Sequence, residues 1–119
     1  MPSQRMLRVN ELLKREIADL IEKEGFSSET GVLLTIKEVN TIPELTASKV
    51  LFTVMPDNEE NERKAMKFLL SKRKDFQKTI AKDIKIKNTP ILQFEVDKKS
   101  AIADNVLTII DELGLDDEL

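Results

Sequence analysis

Apolar residues recur at steps of three and four along the first part of the chain. Met6, Val9, Leu12, Leu13, Ile17, Leu20 and Ile21 form one stripe, with Arg8, Glu11, Arg15 and Glu22 on the opposite side. That period predicts an amphipathic helix over residues 5–24, stopped near Gly25. The period then falls to two. Residues 31–39 carry Val32, Leu34 and Ile36 on one face, and residues 48–55 carry Val50, Phe52 and Val54. Both read as half-buried strands, paired as an antiparallel hairpin across the break at Asn40-Thr41-Ile42-Pro43-Glu44.

Pro56-Asp57-Asn58 marks a stop and an N-cap, and Glu59, Glu60 and Glu62 crowd the turn that follows, where the helix dipole favours negative charge. A helix over 58–71 is expected to bury Ala65, Met66, Leu69 and Leu70. The run Ser71-Lys72-Arg73-Lys74-Asp75 has no apolar residue, which predicts a kink or short turn. Phe76, Ile80 and Ile84 restart a helical stripe that Thr89-Pro90 ends. Residues 91–96 read as a third strand through Leu92, Phe94 and Val96. Residues 100–113 read as a last helix through Ile102, Val106, Ile109, Ile110 and Leu113. The expected order is α-β-β-α-α-β plus a C-terminal helix. No linker interrupts it, so one domain over 1–119 is expected, with 98–119 as the C-terminal helix and acidic tail.

Composition narrows the chemistry. The chain has 119 residues and no Cys, His, Trp or Tyr. Disulfides, thiolate metal sites, imidazole bases and cysteine nucleophiles are therefore excluded. The glycines Gly25, Gly31 and Gly114 are too scattered for a phosphate-cradling loop. Helix capping accounts for the carboxylates at 59–62 more simply than catalysis does. No catalytic residue, cofactor or metal is expected. The first residues lead into a charged periodic pattern and no apolar run is long enough to span a membrane, so the expected location is the cytoplasm.

Net charge is −3, but the charges are segregated. From Arg63 to Lys87, ten basic residues face only Asp75 and Asp83, a net of +8. From Ser100 to Leu119 there are six acids and no base. Lys74, Lys78, Lys82 and Lys85 follow one another at four, four and three residues, along one helix face opposite Phe76, Ile80 and Ile84. A row of ammonium groups suits phosphate neutralisation with counterion release. Lys72, Arg73 and Lys74 extend that row into the expected kink, where unbonded backbone N–H groups would meet phosphate. A lysine-rich helix face is also the ordinary form of a soluble surface. Phe52 and Phe94 alternate with aliphatic residues on the presumed core face, so base stacking on them is not expected.

Three segments resemble the ribosome-binding factor A family. Arg8-Val9-Asn10-Glu11-Leu12-Leu13-Lys14-Arg15-Glu16-Ile17 resembles its first helix. Glu44-Leu45 followed by Ser48-Lys49-Val50 resembles its entry into the second strand, with Glu44 and Ser48 where Asp and Ala are usual. Pro90-x-Leu92-x-Phe94-x-x-Asp97, preceded by Lys85-Ile86-Lys87, resembles its third-strand signature. Arg73-x-Asp75 stands where an Ala-x-Gly kink is common, and Lys99 and Ala103 where Ser and Gly are usual.

The resemblance implies an α+β, type II KH-like fold, with helices packed on one face of a three-stranded sheet and no GxxG loop. It implies a non-catalytic RNA-binding assembly factor that binds the immature small ribosomal subunit and its rRNA, assists late maturation and rRNA processing, and supports growth in the cold. No membrane or small-molecule partner is implied, and a monomer is expected. The residues expected on RNA are Arg5, Arg8, Lys72, Arg73, Lys74, Lys78, Lys82, Lys85 and Lys87. The competing reading is a protein-interaction module of the same fold, docking through its C-terminal helix.

Overall fold

The computed structural model of the chain describes residues 4–42, 44, 46–85 and 89–98. The expected C-terminal helix, and Lys87, lie outside them. The described elements run in the order α1 (Gln4–Glu24), α2 (Phe26–Thr30), β1 (Leu33–Thr41), β2 (Ala47–Met55), α3 (Glu59–Asp83) and β3 (Ile91–Val96). The strands form one sheet in the order β1-β2-β3. β1 and β2 pair antiparallel from Leu33↔Met55 to Thr41↔Ser48, as the alternation predicts. β3 pairs parallel to β2 from Ala47↔Ile91 to Phe52↔Val96. A parallel partner needs a crossover, and α3 supplies it.

α1 and α3 pack on the same face of this sheet. Met6, Val9, Leu13, Ile17 and Ile21 of α1 and Ala65, Leu69, Phe76 and Ile80 of α3 are buried. All of these except Met6 join one core with Leu34, Ile36, Val39, Val50, Phe52, Val54 and Leu92 from the strands. Leu13, Ile17, Phe52, Leu69, Ile80 and Leu92 are fully buried, each contributing about 1.5–3 kcal/mol by leaving water. The sheet register slips between Ile36 and Glu38. That irregularity leaves Lys37 and Glu38 both outside and returns Val39 to the core.

Two expectations about elements are corrected, and one about burial: Leu70, expected in the core, is 48% exposed. Gly31 does not begin a strand. It closes the short helix α2 in the left-handed region (φ 74°), as Gly25 opens it (φ 73°), and only glycine adopts that backbone without strain. α2 is one turn around the buried Phe26, too short to show a period. The second correction concerns the kink over 71–75, which is absent. α3 is one helix of 25 residues, so the two central helices of the expected order are one. Its N-cap is Asn58, as read from the sequence: the side-chain oxygen accepts from the Asn61 N–H at 2.8 Å.

The continuity of α3 is supported by contacts with the start of the chain. Phe68, Lys72 and Phe76 stand four residues apart on the flank of α3 that meets α2 and the end of α1. Phe68 stacks obliquely on Phe26 (centroids 4.7 Å apart) and meets Phe76 edge-on at 6.3 Å. The polar position between these rings is occupied by Lys72, whose ammonium pairs with Glu24 at the end of α1 (2.6 Å). The apolar gap is therefore bridged by two aromatic rings and an ion pair, and nothing requires the helix to break.

Candidate nucleic-acid interface

A 25-residue helix carries a fixed phase from end to end. Its inner side is set by Ala65, Leu69, Phe76 and Ile80, which are buried. Arg63, Lys67, Lys74 and Lys78, at steps of four, seven and four, lie on the opposite side and are exposed, with Lys64 and Lys82 flanking them. From Arg63 to Lys82 this row runs about 28 Å at 1.5 Å per residue. Among the described residues, Arg63, Lys67, Lys74, Lys78 and Lys82 have no carboxylate within ion-pair distance. Lys64 pairs with Glu60 one turn earlier, at 3.5 Å. Arg63 and Lys67 were absent from the residues expected on RNA. Their phase with Lys74 and Lys78 exists only because the helix does not kink.

The remaining candidates are placed as follows. Lys85 is exposed just past α3, and Arg5 and Arg8 are exposed on the first turns of α1. α1 and α3 run antiparallel, since Glu24 meets Lys72 and Glu16 meets Asp83. Arg5 lies three turns, about 16 Å, before Glu16, and so reaches past the C-terminal end of α3, the end that carries Lys82 and Lys85. Arg73 is half-buried on the side of α3 that faces β3. Lys72 lies on the flank of α3 that meets the end of α1, its side chain still partly exposed, and its pKa is raised by its hydrogen bond and charge contact with Glu24. The backbone of 72–74 is interior to the helix, so its N–H groups do not meet phosphate as a kink would have allowed.

The open face of the sheet differs from the helix side in charge. Lys49 there pairs with Glu95 across the β2–β3 ladder at 3.3 Å, and Lys37 neighbours Glu38. The cations cluster on α3. Phe52 is fully buried, as expected, and Phe94 is half-buried against the core. Among the described residues, no group of three or more acidic side chains is placed to hold a metal ion, and no helix is long and apolar enough to cross a membrane.

The motif of α1 acquires a physical meaning here. Val9 and Leu13 are core residues, while the Asn10 side-chain oxygen accepts from the Thr41 N–H at 2.9 Å and pins the end of β1. The Thr41 and Ser48 hydroxyls, both buried, are hydrogen-bonded to each other at 2.7 Å. A family model described as Ribosome-binding factor A matches residues 5–110. The chain belongs to the ribosome-binding factor A family. A ribosome-binding factor A from Hyphomonas neptunium is 33% identical over 100 residues, covering 82% of this chain and 74% of that one. One from Opitutus terrae is 27% identical over 111 residues, covering 93% and 88%. The crystal structure of ribosome-binding factor A from Thermus thermophilus superposes with a TM-score of 0.65 at 20% identity, over 76% of this chain and 94% of that one. An NMR structure of a Thermotoga maritima protein gives 0.67 at 13% identity, over 80% and 89%. At those identities the two structures bear on fold alone.

Proposed function

We propose that this ribosome-binding factor A family member binds the RNA of the immature small ribosomal subunit through the outer face of α3, and acts there as a non-catalytic assembly factor in late maturation and rRNA processing. The observation that carries the reading is the row Arg63, Lys67, Lys74, Lys78 and Lys82, exposed along one uninterrupted helix. Such a row matches a phosphate backbone in charge and extent, and counterions leave as the phosphates are neutralised. Arg5, Arg8 and Lys85 extend the same charge beyond the end of α3. Lys72 is left out, because Glu24 already holds its ammonium.

The recognition is of shape and charge. The chain offers no exposed aromatic ring for base stacking among the described residues, and folded RNA presents phosphates and 2′-hydroxyls more readily than base edges. Bound in this way, the protein would hold one rRNA conformation until it is displaced. The rival reading, a protein-docking module, depends on a C-terminal helix outside the described residues.

The test is charge reversal at the centre of the row. Lys67→Glu, Lys74→Glu and Lys78→Glu together change exposed positions and keep a good helix former at each, so circular dichroism should be unchanged. Co-sedimentation with immature small subunits should fall by at least about tenfold, which corresponds to roughly 1.4 kcal/mol or more for three phosphate contacts turned to repulsion. Unchanged binding by a folded triple variant would remove this face from the function.

A further inference from the structure

We propose that the open face of the sheet, at the end where β1 begins and β2 stops, docks a lysine- or arginine-rich segment of a protein partner that brings an apolar side chain with it. A sheet face turned to water ordinarily carries polar residues at every second position. Here Leu33 and Met55 stand directly opposite each other in the β1–β2 register and are 55% and 63% exposed. Thr35 and Thr53 form the next outward pair, and their methyl groups continue the apolar surface toward the half-buried Leu51. A single exposed apolar side chain is ordinary, whereas a contiguous apolar surface marks a place of contact.

Size and charge select the occupant. At Leu33, Thr53 and Met55 the face sinks into a depression of 270 Å³. That is below the roughly 300–1,000 Å³ of a small-molecule site, so it suits one side chain of a larger partner. Three carboxylates, Asp57, Glu62 and Asp97, line it against one ammonium, Lys37. Glu62 also meets Lys98 at 3.7 Å. Asp57, and Glu59 two residues on, are exposed and have no cation within ion-pair distance among the described residues.

These carboxylates repel the phosphates of RNA and attract an ammonium or guanidinium group. A second copy of this chain meeting the same surface about a two-fold axis would set like charges against each other. A basic protein segment satisfies both the apolar pair and the carboxylates. The cationic row begins at Arg63, directly after Glu62, on the outer side of α3. One molecule would therefore hold RNA and a basic protein segment side by side. The docking itself does not rest on the RNA reading.

The test titrates the full-length protein with a short peptide that has two lysines at each end of a Leu-Val-Leu centre. Binding is read by fluorescence anisotropy and by the NMR shifts of the Leu33 and Met55 methyls. The expected result is that these methyls shift, and that glutamates in place of the lysines, or serines in place of the apolar centre, abolish the shift. Affinity should fall about tenfold in the double variant Leu33→Thr, Met55→Thr. It should fall about threefold in Asp57→Asn, Glu59→Gln. All four positions are exposed, and thermal melts check that both variants fold. No shift of these methyls, equal binding of the glutamate peptide, or unchanged affinity in the folded variants would overturn the proposal. So would an RNA oligonucleotide that shifts the same methyls. In the free protein, NOEs from the Met55 methyl to residues beyond Lys98, or shifts that depend on protein concentration, would give the face to the chain's own segment or to a second copy, and either result would overturn it as well.

Discussion

Asn10, Ser48 and Lys72 show how a residue's role depends on partners far away in sequence. Asn10 reads as one polar residue on a helix flank, but it closes the backbone of β1 at Thr41. Ser48 stands where the family resemblance expects Ala. Its hydroxyl is fully buried and is satisfied by Thr41, so the extra polar atom carries no unpaired cost. Glu16 is the opposite case. Its carboxyl lies above the ordinary range, first because of partial burial, then through the charge and hydrogen bond of Asp83 and the charge of Asp19, against a smaller opposing effect of Lys23. A raised carboxyl favours the protonated folded form. That stabilisation is complete below the ordinary carboxylate range and is lost as pH rises through the raised value. Glu16→Gln should therefore raise the melting temperature at neutral pH, and the gain should shrink to nothing below about pH 4. Thermal melts at the two pH values check it, and an equal gain at both would show that the carboxylate repulsion is not the cause.

At the scale of elements, α3 decides what the surface can do. The sequence pattern predicts a break at 71–75 because apolar residues are missing there. Helices do not need an apolar residue in each turn when Lys and Arg, both good helix formers, fill the gap. The features that hold this stretch straight are the Lys72–Glu24 pair and the Phe26–Phe68–Phe76 ring packing. Phe26 and Glu24 belong to the other end of the chain, so no local pattern could reveal them. By contrast, the strands, the Asn58 cap and the stripe of α1 were legible, because period and cap chemistry are local. A continuous helix predicts that Lys74→Gly costs roughly 0.5–1 kcal/mol while Lys74→Ala costs almost nothing. Urea denaturation of the two variants measures this. Equal stability would mean that residue 74 sits in a turn after all.

At the scale of the molecule, charge is segregated along a chain whose net charge is only −3. The positions of Lys74, Lys78 and Lys82 on one face followed from their spacing. The extension of that face back to Lys67 and Arg63 did not, since it needs the helical phase to be kept across the polar run. The pairing of Lys72 was equally hidden, because its partner Glu24 lies far back along the chain, at the end of α1. α1 and α3 cover one side of the sheet, and the outer side of α3 is left as a straight cationic edge about 28 Å long.

The central claim, that this edge holds ribosomal RNA through its phosphates, is tested most directly by the salt dependence of binding to immature small subunits. If the five exposed cations from Arg63 to Lys82 each engage a phosphate, the log–log slope should be about −3.5 to −4.5, at roughly 0.7–0.9 per phosphate. The Lys67, Lys74 and Lys78 triple reversal should flatten it by about two units or more, since three phosphates are then left without a cation. A wild-type slope shallower than about −1 would mean that phosphate neutralisation is not what attaches this protein to the particle, and would contradict the account.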